Sequence, residues 1–166
     1  MIGKDLFFKC QRGGIVIIMK TVTNKRAKFD YVLIEKYEGG LVLLGTEVKS
    51  VKAGNISLKG AFVTLPGDEP YLTNATIPPW QVINAPDDYD PVRSRKILLN
   101  KAEIKELIGA KQTKGLTIVP VRVYTKGPRV KIEIALAKGK QMVDKKREKR
   151  EKDIARETQR FLRGKE

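Results

Sequence analysis

The chain contains no histidine and a single cysteine, Cys10. Most zinc sites, and catalysis by Ser-His or Cys-His pairs, are thereby excluded. One thiol cannot close an intramolecular disulfide, which fits a reducing, cytosolic setting. Long apolar runs are also missing, so no stretch is suited to span a bilayer. Near the N-terminus Arg12-Gly13-Gly14 splits Leu6-Phe7-Phe8 from Ile15-Val16-Ile17-Ile18-Met19, too broken for a secretory signal. Aromatic residues are only 7% and are not clustered on one strand, which argues against a broad platform for stacking bases. Acids are scarce relative to bases: 19 against 34, for a net charge of +15. A soluble domain this basic usually meets a polyanion, either nucleic acid or an anionic membrane surface. At 166 residues the chain is long enough for one domain with a real core.

What is present is organised around Leu44-Gly45-Thr46-Glu47-Val48-Lys49-Ser50-Val51-Lys52-Ala53-Gly54. The preceding Leu41-Val42-Leu43-Leu44 reads as a buried strand. Gly45 frees the backbone, Thr46 can cap a helix, and Gly54 can end it. Val48 and Val51 would pack inward, with Lys49 and Lys52 on another face that can look outward. Glu47 lies in the first turn, where the helix dipole favours a carboxylate. Presented beside lysines, such an acid can accept hydrogen bonds from base or ribose donors while the lysines hold phosphates. The plainer alternative is an amphipathic helix closing one end of a β domain, its charges merely solvated.

In chain order, residues 1–18 read as an extension outside the compact domain, with Met19 as the physiological start. Residues 29–37 are β-rich, and Glu38-Gly39-Gly40 reads as a turn into the strand at 41–44. Residues 57–65 and 70–77 read as a hairpin across Pro66-Gly67-Asp68-Glu69. Pro78-Pro79-Trp80 opens a long irregular connection carrying Asp87, Asp88 and Asp90. Asn100 is the candidate N-cap of a helix over 101–110, with Ile104, Leu107 and Ile108 as its apolar face. Residues 116–124 and 129–136 form a second hairpin across Lys126-Gly127-Pro128. Val130, Ile132, Ile134 and Leu136 share its core face and Lys131 and Glu133 the wet one, while Pro120 marks an edge or a bulge. About six short strands with two small helices at their ends, and no βαβ repeat, point to an antiparallel barrel of the oligonucleotide-binding type over 19–139.

The segment 140–166 is a different kind of sequence. Its charge pairs, Glu148 with Lys152 and Lys149 with Asp153, have helical spacing. Met142, Val143, Ile154, Phe161 and Leu162 form no continuous apolar stripe, so the tail reads as disordered alone and helical on a partner. Lacking an apolar face to insert, it does not suit a membrane surface.

Taken together, Asn24-Lys25-x-Ala27, Gly45-Thr46-Glu47-Val48-Lys49-Ser50, Arg95-Lys96-x-Leu98-Leu99-Asn100 and Ala137-Lys138-Gly139-Lys140 closely resemble the small protein B family, the bacterial SsrA-binding proteins. The match runs in order from about Asn24 to the C-terminus. The resemblance implies a monomeric barrel that binds the tRNA-like domain of transfer-messenger RNA. It further implies delivery of that RNA, with elongation factor Tu, to ribosomes stalled on truncated messages. There the family's barrel takes the place of the missing anticodon arm, and its basic tail enters the empty messenger channel near the decoding site.

By position, Glu47, Leu98 and Asn100 match family residues needed for RNA binding. Lys49, Arg95 and Lys96 are physical candidates for phosphate contacts, and Asn24, Lys25, Lys138 and Lys140 lie in the shared motifs. Leu98 can offer an apolar surface to an unstacked base, and Asn100 an amide to a base edge or ribose. Core packing and helix capping are their plainer roles, and both can coexist with RNA contact. Gly139-Lys140 matches the family's hinge at the barrel exit, and Asp144, Lys145 and Lys146 its tail element. Three positions depart from the family pattern: Gln141 replaces a usual Lys, Val143 a His or aromatic, and Lys146 an Arg. Lys146 lacks the planar bidentate fork, which the adjacent Arg147 can supply instead. The rival from another class is a nuclease using Asp87, Asp88 and Asp90 to hold Mg²⁺. These acids lie in one Pro-rich loop, whereas a two-metal site wants acids converging from several elements. No catalytic residue, metal or cofactor is assigned.

Overall fold

The computed structural model describes residues 21–141 other than positions 82, 84, 85, 87, 113 and 114, together with 146, 150, 154 and 157–159. The chain-start expectation at Met19 lies outside these residues. β1 (Val22–Thr23) leads into α1 (Lys25–Asp30) and β2 (Tyr31–Leu41); α2 (Gly45–Lys52) follows. β3 (Phe62–Thr64), β4 (Tyr71–Thr73) and β5 (Arg95–Leu98) precede α3 (Lys101–Lys111) and the long pair β6 (Leu116–Lys126) and β7 (Arg129–Gly139).

The seven strands form one sheet in the order β1-β6-β7-β2-β5-β4-β3, every pair antiparallel. β3, at one end of that order, packs against β6 near the other, so the sheet curls back on itself as a barrel of the oligonucleotide-binding type. Its strands number seven rather than about six: the expected strands at 29–37 and 41–44 are one strand, β2, while β1 and β5 are additional. Among the described residues no helix is long and apolar enough to cross a membrane.

Alternation in β7 decides which face is core. Val130, Ile132, Ile134 and Leu136 are buried, while Glu133 on the other face pairs with Arg122 (2.7 Å) and Lys36 (3.5 Å). At Pro120, which has no N–H to give to a ladder, the β6–β7 register shifts before Arg122, as a bulge requires. The ends of the barrel are filled by helices. Leu107 of α3 and Val51 of α2 are buried in the main cluster with Leu72, Ile77, Ile97, Ile132 and Ile134.

Two expected features are corrected. Phe29 and Asp30 belong to α1 rather than to a strand, because Asn24 caps that helix: its Oδ1 accepts from the Ala27 amide at 3.2 Å. The expected turn at Glu38-Gly39-Gly40 does not exist. β2 runs through it to Leu41, pairing with β7 on one side and, at Gly40 and Leu41, with β5 on the other. The glycines serve close approach. A Cβ on Gly39 would lie 2.7 Å from Ile97 Cγ2 and 2.9 Å from the Leu98 carbonyl oxygen. Gly39→Ala is therefore expected to destabilise the fold by roughly 1–3 kcal/mol, the usual cost of overpacking. Urea unfolding with an unchanged midpoint would contradict this. The 57–65/70–77 hairpin is present but shorter than expected: β3 pairs with β4, and Ser57 bridges Thr76 beyond the left-handed Gly60.

Candidate functional site

α2 begins at Gly45, but its N-cap is Leu44 rather than Thr46. An apolar cap has no side-chain acceptor, so Glu47 reaches back and accepts from the Leu44 amide at 2.8 Å. Gly54, at φ 87°, accommodates the left-handed turn that ends the helix. The same Glu47 carboxylate is fully buried between α2 and the segment before β5. Its Oε1 accepts from Arg95 Nε (2.9 Å) and Arg93 Nε (3.0 Å), and Oε2 from Arg93 Nη2 (2.5 Å).

Arg95 is equally buried, and its guanidinium makes four hydrogen bonds besides its ion pair with Glu47. Nε and Nη2 hold Glu47, Nη1 donates to the carbonyls of Ala75 (2.7 Å) and Arg93 (2.9 Å), and Nη2 also donates to Pro91 (2.9 Å). Tyr89 Oη lies 2.6 Å from the Ile77 carbonyl and 3.2 Å from Glu47 Oε1. With one proton to give, it serves the nearer carbonyl. Burial pushes the Glu47 carboxyl up, yet the Arg93 hydrogen bond, the Leu44 amide and the Arg95 charge together hold it below its ordinary value.

This geometry gives three of the sequence-based candidates partners inside the fold. Glu47 is not presented beside the lysines; its oxygens are spent on the two arginines and a backbone amide. Arg95 is fully buried and committed to Glu47 and three backbone carbonyls. Asn24 is buried too: besides capping α1 it donates Nδ2 to the Pro120 carbonyl at 3.1 Å, which fastens α1 to β6. All three tie elements of the barrel together. Neither Arg93 nor Tyr89 stands out in the sequence, since their partner lies 46 and 42 residues away.

The remaining candidates fall into two groups. In the first, Lys49 on α2 is exposed, as are Leu98 at the end of β5 and Asn100 at the start of α3. Asn100 is the N-cap as expected, its amide donating to Glu103 Oε2 at 2.9 Å. Leu98 is 55% exposed. Val42 donates its amide to the Lys96 carbonyl, which puts it diagonally beside Leu98 on the outer face. Val42 and Leu44 are themselves nearly half exposed. Lys96 is half-buried and already paired with Glu69, which also accepts from Tyr71 at 2.9 Å. Being solvated, that pair is weak, so a phosphate can compete for the ammonium.

The second group joins α1 to the end of β7. Ala27 packs with Val119 and Ala137, Tyr31 is paired with Gly139, and the Lys140 amide donates to the Asp30 carbonyl at 2.9 Å. Lys140 Nζ donates to the Lys28 carbonyl at 3.2 Å. Lys25, Lys138 and Gly139 are exposed around this junction. Of the tail, Lys146, Arg150, Ile154, Glu157, Thr158 and Gln159 are described; all have helical backbone, with the Thr158 hydroxyl donating to the Ile154 carbonyl at 3.0 Å. Val143, Asp144, Lys145 and Arg147 lie outside the described residues.

As for the acidic loop, Asp87 is also outside the described residues. Asp90 has a local structural use, its Oδ1 accepting from the Val92 amide at 2.8 Å. A further concavity of about 270 Å³ lies between the start of α2 and the loop after Ile77, lined by Gly45, Thr46, Lys49, Trp80 and Gln81.

A family model described as SmpB protein matches residues 21–164. The SsrA-binding protein of Sulfurihydrogenibium sp. (strain YO3AOP1) is 48% identical over 143 residues, covering 86% of this chain and 93% of that protein. That of Thermosynechococcus vestitus is 43% identical, covering 84% of this chain and 91% of its own length. That of Aquifex aeolicus is 44% identical, covering 89% and 94%. Among solved structures, a chain from one described as "tmRNA-SmpB: a journey to the center of the bacterial ribosome" superposes with a TM-score of 0.62 at 40% identity. The match covers 74% of this chain and 85% of that one.

Proposed function

This chain belongs to the SmpB protein family, and from that premise we propose that it binds the tRNA-like domain of transfer-messenger RNA and secures that RNA on stalled ribosomes for trans-translation. It acts by binding, not by bond cleavage. Elongation factor Tu accompanies the RNA, the barrel stands in for the absent anticodon arm, and the tail lies in the empty messenger channel.

The observation that carries the reading is the surface around Leu98. Leu98 is left more than half exposed beside Val42, two residues before the Asn100 cap of α3, so an apolar surface and an amide lie close together. It suits an unstacked base or ribose, with Asn100 meeting a polar edge and Lys49 a phosphate. Glu47 and Arg95 support this surface from beneath by locking α2 to β5. Lys25, Lys138 and Lys140 supply further positive charge at the α1–β7 junction. From there Gly139 hinges a tail whose Asp144, Lys145, Lys146 and Arg147 contact the ribosome.

The deciding experiment compares the isolated tRNA-like domain with an equal-sized ordinary tRNA across a salt series, because counterion release makes a single-salt affinity uninterpretable. A clear advantage for the tRNA-like domain at physiological salt is expected. Asn100→Ala should reduce that advantage by about 1–3 kcal/mol if its amide makes a specific contact. Two RNAs that bind alike and weaken together as salt rises would leave only a basic barrel.

A further inference from the structure

We propose that Trp80, Lys49 and the Gly45-Thr46 turn form a stacking site for one unpaired nucleobase and its phosphate. The inference rests on the reading that the partner is a folded RNA, and gives Lys49 an aromatic neighbour, Trp80, that the Leu98–Asn100 surface does not contain.

The site is a concavity of about 270 Å³ whose lining combines three chemistries. Trp80 brings the largest aromatic face in the chain and is nearly half exposed. Lys49 is exposed in the second and last turn of α2, where a phosphate attached to a stacked base can be met. Gly45 has no side chain, and an added Cβ there would find open space, so a planar group can approach the helix start closely. The volume lies just below the lower edge of ordinary small-ligand pockets (roughly 300–1,000 Å³), enough for a single ring system.

Both walls are held rigid by the same buried knot. α2 is tied through Glu47 to Arg93 and Arg95. The loop wall hangs from Ile77, which is fully buried, donates its amide to the Pro91 carbonyl at 3.0 Å and accepts from Tyr89. Pro78 and Pro79 follow directly and restrict the backbone that carries Trp80. An aromatic ring presented on a stiff loop loses little conformational freedom on stacking, which favours a lasting contact. A neutral small molecule would gain nothing from Lys49, whereas a nucleotide uses ring and cation together.

Trp80 is the only tryptophan in the chain, so its emission reports on this site alone. The full chain would be titrated with the tRNA-like domain, following indole fluorescence and, separately, the anisotropy of labelled RNA. Quenching that tracks RNA binding is expected. Trp80→Ala should weaken affinity roughly 5- to 150-fold, the range measured when one stacked base is lost, and Trp80→Phe should recover most of it. Trp80→Leu, which keeps the apolar bulk, should behave like Trp80→Ala; if it behaves like Trp80→Phe, stacking is overturned. RNA that binds tightly with unchanged indole emission overturns the site while leaving the proposed function standing. RNA without preference over ordinary tRNA removes the proposed function itself.

Discussion

Glu47→Ala is expected to cost about 3–5 kcal/mol of folding stability, because it leaves the buried Arg95 guanidinium without its counter-charge. Loss of RNA binding should follow from loss of shape, not from loss of a contact. Urea unfolding in the absence of RNA separates the two. A variant as stable as its parent that nevertheless binds RNA poorly would return Glu47 to the interface. The same pair predicts a pH dependence. The folded-state carboxyl titrates below its ordinary value of 4.5, since the Arg93 hydrogen bond, the Leu44 amide and the Arg95 charge outweigh the desolvation that would raise it. Its contribution is therefore fully present above the unfolded-state value and is lost as pH falls through the folded one. Glu47→Gln, already without that charge, should lose stability less steeply than the parent on acidification below about pH 4.5.

Truncation after Gly139 is expected to leave specific affinity for the tRNA-like domain largely intact and to abolish peptide tagging on the ribosome. The β2–β7 ladder ends at Tyr31 and Gly139, so the cut removes no pairing of the barrel. It does remove the hydrogen bond that the Lys140 amide donates to the Asp30 carbonyl, and basic residues that attract any RNA. Non-specific binding should therefore weaken and depend less on salt, while discrimination between RNAs survives. Tagging assayed in a reconstituted translation system is the readout. A tail-less chain that still supports tagging would remove the role proposed for residues 140–166.

Much of the barrel was legible because its signals are local. Alternation from Val130 to Leu136, the missing donor at Pro120, the cap at Asn100 and the left-handed Gly54 each act within a few residues. The double glycine at 39–40 misled for a physical reason: glycine permits a turn, but it equally permits two strands to approach closely, and only the neighbouring Ile97 and Leu98 decide between them. The site was legible in part. Lys49, Leu98 and Asn100 are where a surface role needs them. Glu47, Arg95 and Asn24 are not, since a charge or an amide in a motif looks the same whether it faces solvent or a partner far along the chain. Glu47 and Arg95 are 48 residues apart, and Asn24 lies 96 from Pro120.

The placement of β2 has a consequence for biosynthesis. Its neighbours are β5 and β7, and its longest ladder joins Tyr31 to Gly139 across almost the whole domain. During synthesis, at about 5–20 residues per second, the strand waits for its partner for several seconds, with both edges bare to water and to other chains. Such late, non-local pairing makes the barrel a slow folder for its size. A product whose own message breaks before β7 would emerge with its longest early-made strand unpaired, an incomplete chain open to aggregation.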